Sequence, residues 1–99
     1  MSAAVESAGR VLDVLDLLLR ADFAYGIAPG DIVRELKLSP SAVTRYVATL
    51  EGRDMLERIP ETGRLRPALR LVTRLAAIVA SLDAAERRMR ELATRINTL

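Results

Sequence analysis

The sequence predicts a mainly α-helical chain: three helices, a two-stranded hairpin after the third, and one long C-terminal helix. Three observations carry that expectation. Apolar residues recur at helical spacing over residues 7–20, near 28–37 and over 39–51. The period then shortens around the turn sequence Pro60-Glu61-Thr62-Gly63. From Ala68 to Leu99 there is neither Gly nor Pro, and one helical pattern continues throughout.

Composition agrees. Of 99 residues, 51% are hydrophobic, yet there is one Phe, two Tyr and no Trp. The core is therefore built mainly of Leu, Val, Ile and Ala, and Leu and Ala favour helices. The length suits a small domain, residues 1–70, carrying a helical appendage, residues 71–99.

The first helix is expected from Ser7, as N-cap, to about Arg20. Val11, Leu12, Val14, Leu15, Leu18 and Leu19 give it a wide apolar face. Residues 21–27 read as a connection turning at Gly26, with Phe23 and Tyr25 folding back onto the core. The second helix starts near Ala28-Pro29, where a first-turn proline is tolerated. It buries Ile32, Val33 and Leu36 and ends near Lys37. Ser39-Pro40 then opens the third helix as N-cap and first-turn proline. Val43, Tyr46, Val47 and Leu50 form its inner face, and Ser41, Thr44, Arg45 and Thr49 lie opposite. Gly52 falls near its C-cap. Residues 55–59 and 64–66 read as the two strands of a hairpin, stopped by Pro67. Helix, short helix, tight turn, helix and hairpin in that order make a winged helix-turn-helix, the hairpin over 55–67 being the wing.

In that arrangement the helix over residues 39–51 is the one expected to enter the major groove of double-stranded DNA. The Ser39-Pro40 start leaves backbone N–H groups at the positive end of the helix dipole, favouring a phosphate. Arg45 suits a bidentate contact with guanine or a phosphate, and Thr44 suits a base edge or a thymine methyl. Ser41 and Thr49 are expected on the backbone, where contacts position without specifying sequence. Arg58, Arg64 and Arg66 place the wing on the backbone or in the minor groove. Blander readings stand beside these. Arg45 can be an exposed arginine paired with a carboxylate, and the wing arginines can be solvated residues that keep a sheet edge from pairing. Tyr46, beside Val43 and Val47, reads as core.

Several other chemistries lack their residues. There is no Cys and no His, which removes disulfides, thiol nucleophiles, and the commonest metal ligand and general base. No nucleophile–base pair, phosphate-binding glycine loop or metal-ligand cluster is present, so neither an enzyme nor a cofactor is expected. No apolar run approaches the roughly 18 residues of a membrane span. The N-terminus does not resemble a signal peptide, so the expected location is cytoplasmic. Formal net charge is only +2, but its distribution is uneven: −2 over residues 1–27 and +2 over both 28–70 and 71–99. That is weak support for a nucleic-acid partner.

The stretch from Gly9 to Leu71 resembles the N-terminal winged-helix domain of the IclR-type bacterial transcription regulators. The resemblance is carried by Arg10-Val-Leu-Asp-Val-Leu, Asp31-Ile-Val-Arg-Glu-Leu-Lys-Leu, Ser39-Pro-Ser-Ala-Val-Thr-Arg-Tyr-Val-Ala-Thr-Leu, Leu56-Glu-Arg and Pro60-Glu-Thr-Gly-Arg-Leu-Arg. It implies DNA-facing positions at Ser41, Thr44, Arg45 and Thr49, and wing positions at Arg64 and Arg66. Two departures stand out: Lys37 near a position where such motifs often carry a turn glycine, and Ala42 in place of a polar residue. That family's effector domain has no counterpart in these residues, so small-molecule sensing is not implied.

In the terminal helix, Leu71, Leu75, Ile78, Leu82, Ala85, Met89, Leu92, Ile96 and Leu99 alternate at spacings of four and three. That is an a/d register held over about four heptads. A small winged domain cannot cover a helix near 40 Å long. The alternative, a helix packed back on its own domain, is therefore less favoured than pairing through Leu75–Ile96 with a second copy. A homodimer would present two recognition helices to a pseudo-palindromic site. The competing function is a winged-helix adaptor that binds protein, not DNA.

Overall fold

The computed structural model describes residues 3–99. In chain order the elements are α1 (Glu6–Arg20), α2 (Pro29–Leu36), α3 (Pro40–Gly52), β1 (Leu56–Arg58), β2 (Leu65–Pro67) and α4 (Leu69–Asn97). This is the expected three helices, two-stranded wing and long terminal helix.

The N-cap of helix α1 falls two residues earlier than expected. Val5 is its N-cap, without a side-chain cap bond, and Ser7 lies inside the first turn. The Arg10–Glu6 pair at 2.9 Å and the acidic Glu6 near the positive helix end support this turn instead. The buried stripe is Val14, Leu17 and Leu18, while Leu12 and Leu19 are exposed. The expected apolar face was thus too wide on one side and omitted Leu17 on the other. Seven apolar residues in nine cannot all face one neighbour, and packing against α2, α3 and the wing decides which do.

In α2, the Asp31 carboxylate accepts a hydrogen bond from the Ala28 N–H at 3.2 Å, closing the helix start. Lys37 ends the helix in the left-handed conformation, φ 54° and ψ 46°, the conformation that favours glycine at such a cap. The chain then reverses through Leu38 to Ser39. The Ser39 hydroxyl accepts from the Ala42 N–H at 3.2 Å and caps α3. Ala42 is buried with Val43, Val47 and Leu50, so a polar side chain is excluded there by packing. Tyr46 is half-buried against the core, as expected. Gly52 is the last helical residue, and the left-handed residue after the helix is Asp54, φ 58°.

The wing pairs antiparallel with Leu56 opposite Pro67, Glu57 opposite Arg66 and Arg58 opposite Leu65. Pro67 therefore closes the second strand from inside it. The turn returns through Gly63, φ 72°, whose N–H donates to Ile59 O at 2.7 Å. Ile27 adds a bridge that sequence periodicity did not indicate, exchanging two 2.8 Å backbone bonds with Leu65. Gly26 just before it requires its missing side chain: a Cβ there would sit 2.7 Å from Leu65 O, and φ is 74°. The core is one cluster drawn from α1, α2, α3, both strands and Ile27, with Ile32, Leu65 and Val14 fully buried.

Phe23 and Tyr25 do not fold back onto this core. Both are exposed, Tyr25 at 65%, while Ile27 and Ala21 are the residues of the connection that pack against the core. Helix α4 leaves the domain after its first turn. The Leu69 N–H donates to the Glu57 carboxylate at 2.9 Å, and the Arg70 guanidinium to Arg53 O at 3.2 Å. Leu71 and Val72 are half-buried, and no residue of the 29-residue helix is fully buried. The helix does not pack back on its own domain.

Candidate nucleic-acid interface

The outer face of α3 follows from its inner face. With 100° between successive residues, burial of Ala42, Val43, Val47 and Leu50 turns Ser41, Thr44, Arg45 and Ala48 outward, and all four are exposed. Arg45 makes no ion pair with any carboxylate among the described residues, and its guanidinium lies 6.0 Å from the Tyr46 ring centre. It is thus an exposed cation on a face of small side chains, which permits close approach of another surface.

The other polar residues of this helix are partly committed to the helix itself. Thr44 donates its hydroxyl to Pro40 O at 3.0 Å, and Thr49 donates to Arg45 O at 2.9 Å. Each hydroxyl still has accepting capacity, and each methyl is free to make apolar contact. Ser39 is the helix cap, its hydroxyl 3.3 Å from that of Ser41. The helix start offers fewer N–H groups than its sequence suggests. Pro40 has none, Ala42 donates to Ser39 Oγ, and Val43 donates to Ser39 O at 3.0 Å. The Ser41 N–H remains for an anion.

Thr44 and Thr49 lie on opposite flanks. Thr44 lines a cleft of about 440 Å³ with Pro29, Val33, Arg34 and Arg58. Thr49 faces α1 and shares a shallow depression with Val11, Leu12 and Arg53. The fold therefore sets Thr44 beside Arg58 on one flank and Thr49 on the other, with Ser41 and Arg45 on the exposed face between them. Two residues at this face were missed in the sequence. Ala48 follows Thr44 by one helical turn, a spacing that was available as a signal. Arg34 joins the cleft only because α2 crosses α3, and it is ion-paired with Asp31.

The wing arginines differ among themselves. Arg58 is exposed and meets Glu51 at 3.5 Å. Arg64 turns inward: its Nε donates to Tyr25 O at 3.1 Å, its Nη2 donates to Gly26 O at 3.2 Å, and Asp31 lies 3.8 Å away. Its guanidinium also covers the Tyr25 ring, 4.2 Å from the centre. Arg66 donates from Nε and Nη2 to Glu57 at 2.9 Å and lies 5.0 Å from the Phe23 ring centre. The Glu57 carboxyl is held below the usual glutamate range, first by the Leu69 N–H and then by Arg66, against an opposing effect of burial.

On α4, Leu75, Ile78, Leu82, Met89, Leu92 and Ile96 are exposed and Ala85 is half-buried. Together they run along a helix roughly 43 Å long, from 29 residues at about 1.5 Å each. No helix among the described residues is long and apolar enough to cross a membrane.

A short helix, a three-residue reversal, an exposed helix face and a following hairpin define a winged helix-turn-helix domain of the DNA-binding, transcription-regulating class. The family model of the IclR helix-turn-helix domain matches residues 7–60. That is more than half of the chain, and the chain belongs to this family. The match takes in α1, α2, α3 and β1 and ends within the turn of the wing. No curated protein and no solved structure gives a significant match.

Proposed function

We propose that this chain is a sequence-specific regulator that binds double-stranded DNA as a homodimer, without catalysis, in the bacterial cytoplasm or nucleoid. The observation that carries this reading is Arg45, exposed on the outer face of α3 without a carboxylate partner among the described residues. Ser41, Thr44 and Ala48 around it are small enough to let the helix enter the major groove. Arg45 reads guanine, and Thr44 and Ala48 read base edges or thymine methyl groups. Ser41, Thr49 and Arg58 hold phosphates, which sets register. Ser39 serves mainly by capping the helix that presents these residues.

The second copy is supported by α4. Its a/d residues form a continuous apolar stripe that the chain's own domain does not cover. A second identical stripe is its simplest complement. The unit over residues 1–70 then reads DNA, and residues 71–99 pair the copies.

Selection from random duplexes, followed by mobility shifts at two salt concentrations, tests the reading. Wild type should enrich a pseudo-palindrome with half-sites about one helical turn apart, or a multiple of it. Arg45→Ala should lose about 1–3 kcal/mol at the guanine position and relax specificity there. Equal, sequence-blind binding by both proteins would sink specific readout. Absence of binding to any duplex at low salt would favour the adaptor reading instead.

A further inference from the structure

Four hydrogen bonds and two ring contacts tie the returning strand of the wing to the segment before α2. Ile27 and Leu65 exchange backbone bonds at 2.8 Å. Arg64 donates to the carbonyls of Tyr25 and Gly26 and lies over the Tyr25 ring. Arg66, next on the strand but one, grips Glu57 across the hairpin and lies against Phe23. Glu57 in turn accepts from the first N–H of α4. Both arginine side chains are only about a quarter exposed, 24% and 27%, against 50% for Arg58.

We propose that Arg64 and Arg66 are positioning residues that clamp the wing at a fixed angle to α3, and that the wing's cationic contact with DNA is left to Arg58. This rests on the DNA-binding reading above and deepens it. The guanidinium groups are already spent. Moving Arg64 to a phosphate would strip two backbone carbonyls of their donor, uncover Tyr25 and separate the charge from Asp31. Moving Arg66 would leave Glu57 with the Leu69 N–H alone. The exposed aromatics thereby acquire a purpose: Phe23 and Tyr25 are platforms on which the two arginines stack. A clamp of this kind serves binding by holding Arg58 and the Pro60–Gly63 turn where the backbone passes, without a loss of freedom on binding.

Charge-preserving substitution separates clamp from contact. Arg64→Lys keeps a cation able to hold a phosphate but cannot form the paired carbonyl bonds or the stacked ring contact. On the selected duplex, Arg64→Lys should bind roughly fivefold more weakly with an unchanged salt slope. Its hydroxyl-radical footprint should lose protection under the wing while keeping protection under α3. Tyr25→Leu removes only an exposed stacking platform, so it should fold and should lose the same protection. Wild-type affinity and footprint in Arg64→Lys, with Arg64→Ala lowering the salt slope by about 0.9, would make Arg64 a phosphate contact and overturn the clamp.

Amide hydrogen exchange in the free protein reads the clamp without DNA. Exchange at Ile27 and Leu65 should speed up in Arg64→Lys and Tyr25→Leu while α3 amides are unchanged. Unaltered exchange at Ile27 and Leu65 would overturn the clamp even if the protein bound no DNA, the result that refutes the DNA-binding reading itself.

Discussion

At Lys37 the backbone and the side chain disagree. The residue sits at φ 54°, where a Cβ crowds the following carbonyl at a cost of order 1 kcal/mol. The turn nevertheless holds, because Ser39 caps the next helix and Ile32 and Val43 pack across it. Lys37→Gly should therefore stabilise the domain by about 0.5–1 kcal/mol, the relief of strain outweighing the added freedom of the unfolded chain. Urea unfolding of the two proteins measures it, and a destabilised glycine variant would show that the Lys37 side chain contributes to the fold. The departure from glycine was legible in the sequence; its conformation was not, since only the angle between α2 and α3 demands it. Ala42 teaches the converse. In the sequence it is a small residue among polar ones, and its burial follows from the way α3 is rolled on the core.

The wing is the element in which single residues acquire joint roles. Its existence was legible from the turn Pro60–Gly63 and the loosely alternating residues on either side. The third partner at Ile27 was not, because an isolated bridge leaves no periodicity. Glu57 is the hub: it pairs with Arg66 across the hairpin and receives the first N–H of α4. These bonds favour its charged form, so its folded pKa lies below the usual 4.5. A depressed carboxyl contributes stability above its unfolded pKa and loses it as pH falls through the folded value. The stability difference between wild type and Glu57→Gln, read by urea unfolding, should be full near about pH 6 and shrink on acidification below the usual glutamate range. A difference independent of pH would mean that Glu57 acts through shape alone.

Over the whole molecule, a winged domain with one core carries a helix that shares almost none of it. The extents, 66 × 45 × 22 Å, reflect α4 projecting away from that core. Leu82, in the middle of the apolar stripe, is exposed and lies far along the helix from the domain. If the copies pair through this stripe as proposed, Leu82→Lys should leave the winged domain folded and split the proposed dimer. Sedimentation would show a monomer at micromolar concentration, and affinity for a two-half-site duplex should fall by at least about tenfold as the linkage between half-sites is lost. A Leu82→Lys protein that stayed dimeric would move the interface elsewhere, the exposed Leu12 and Leu19 of α1 being the next apolar surface.

The sequence alone was enough for the order of elements, the cap at Ser39, the turn of the wing, the heptad register of α4 and the family to which residues 7–60 belong. Each of these is a local property, set by a residue's own conformational preference or by the spacing of apolar residues along one element. Tertiary structure decided which of several candidate faces is covered. It buried Leu17 in place of Leu12 and Leu19, turned Ala42 inward, and left Phe23 and Tyr25 outside beneath two arginines. It also divided the arginines of the wing, giving Arg64 and Arg66 partners from distant segments and leaving Arg58 turned toward solvent. A guanidinium's task depends on which acceptors lie within a few ångströms, and those acceptors, Tyr25 O, Gly26 O and Asp31 for Arg64, come from segments that meet the wing only when the chain is folded.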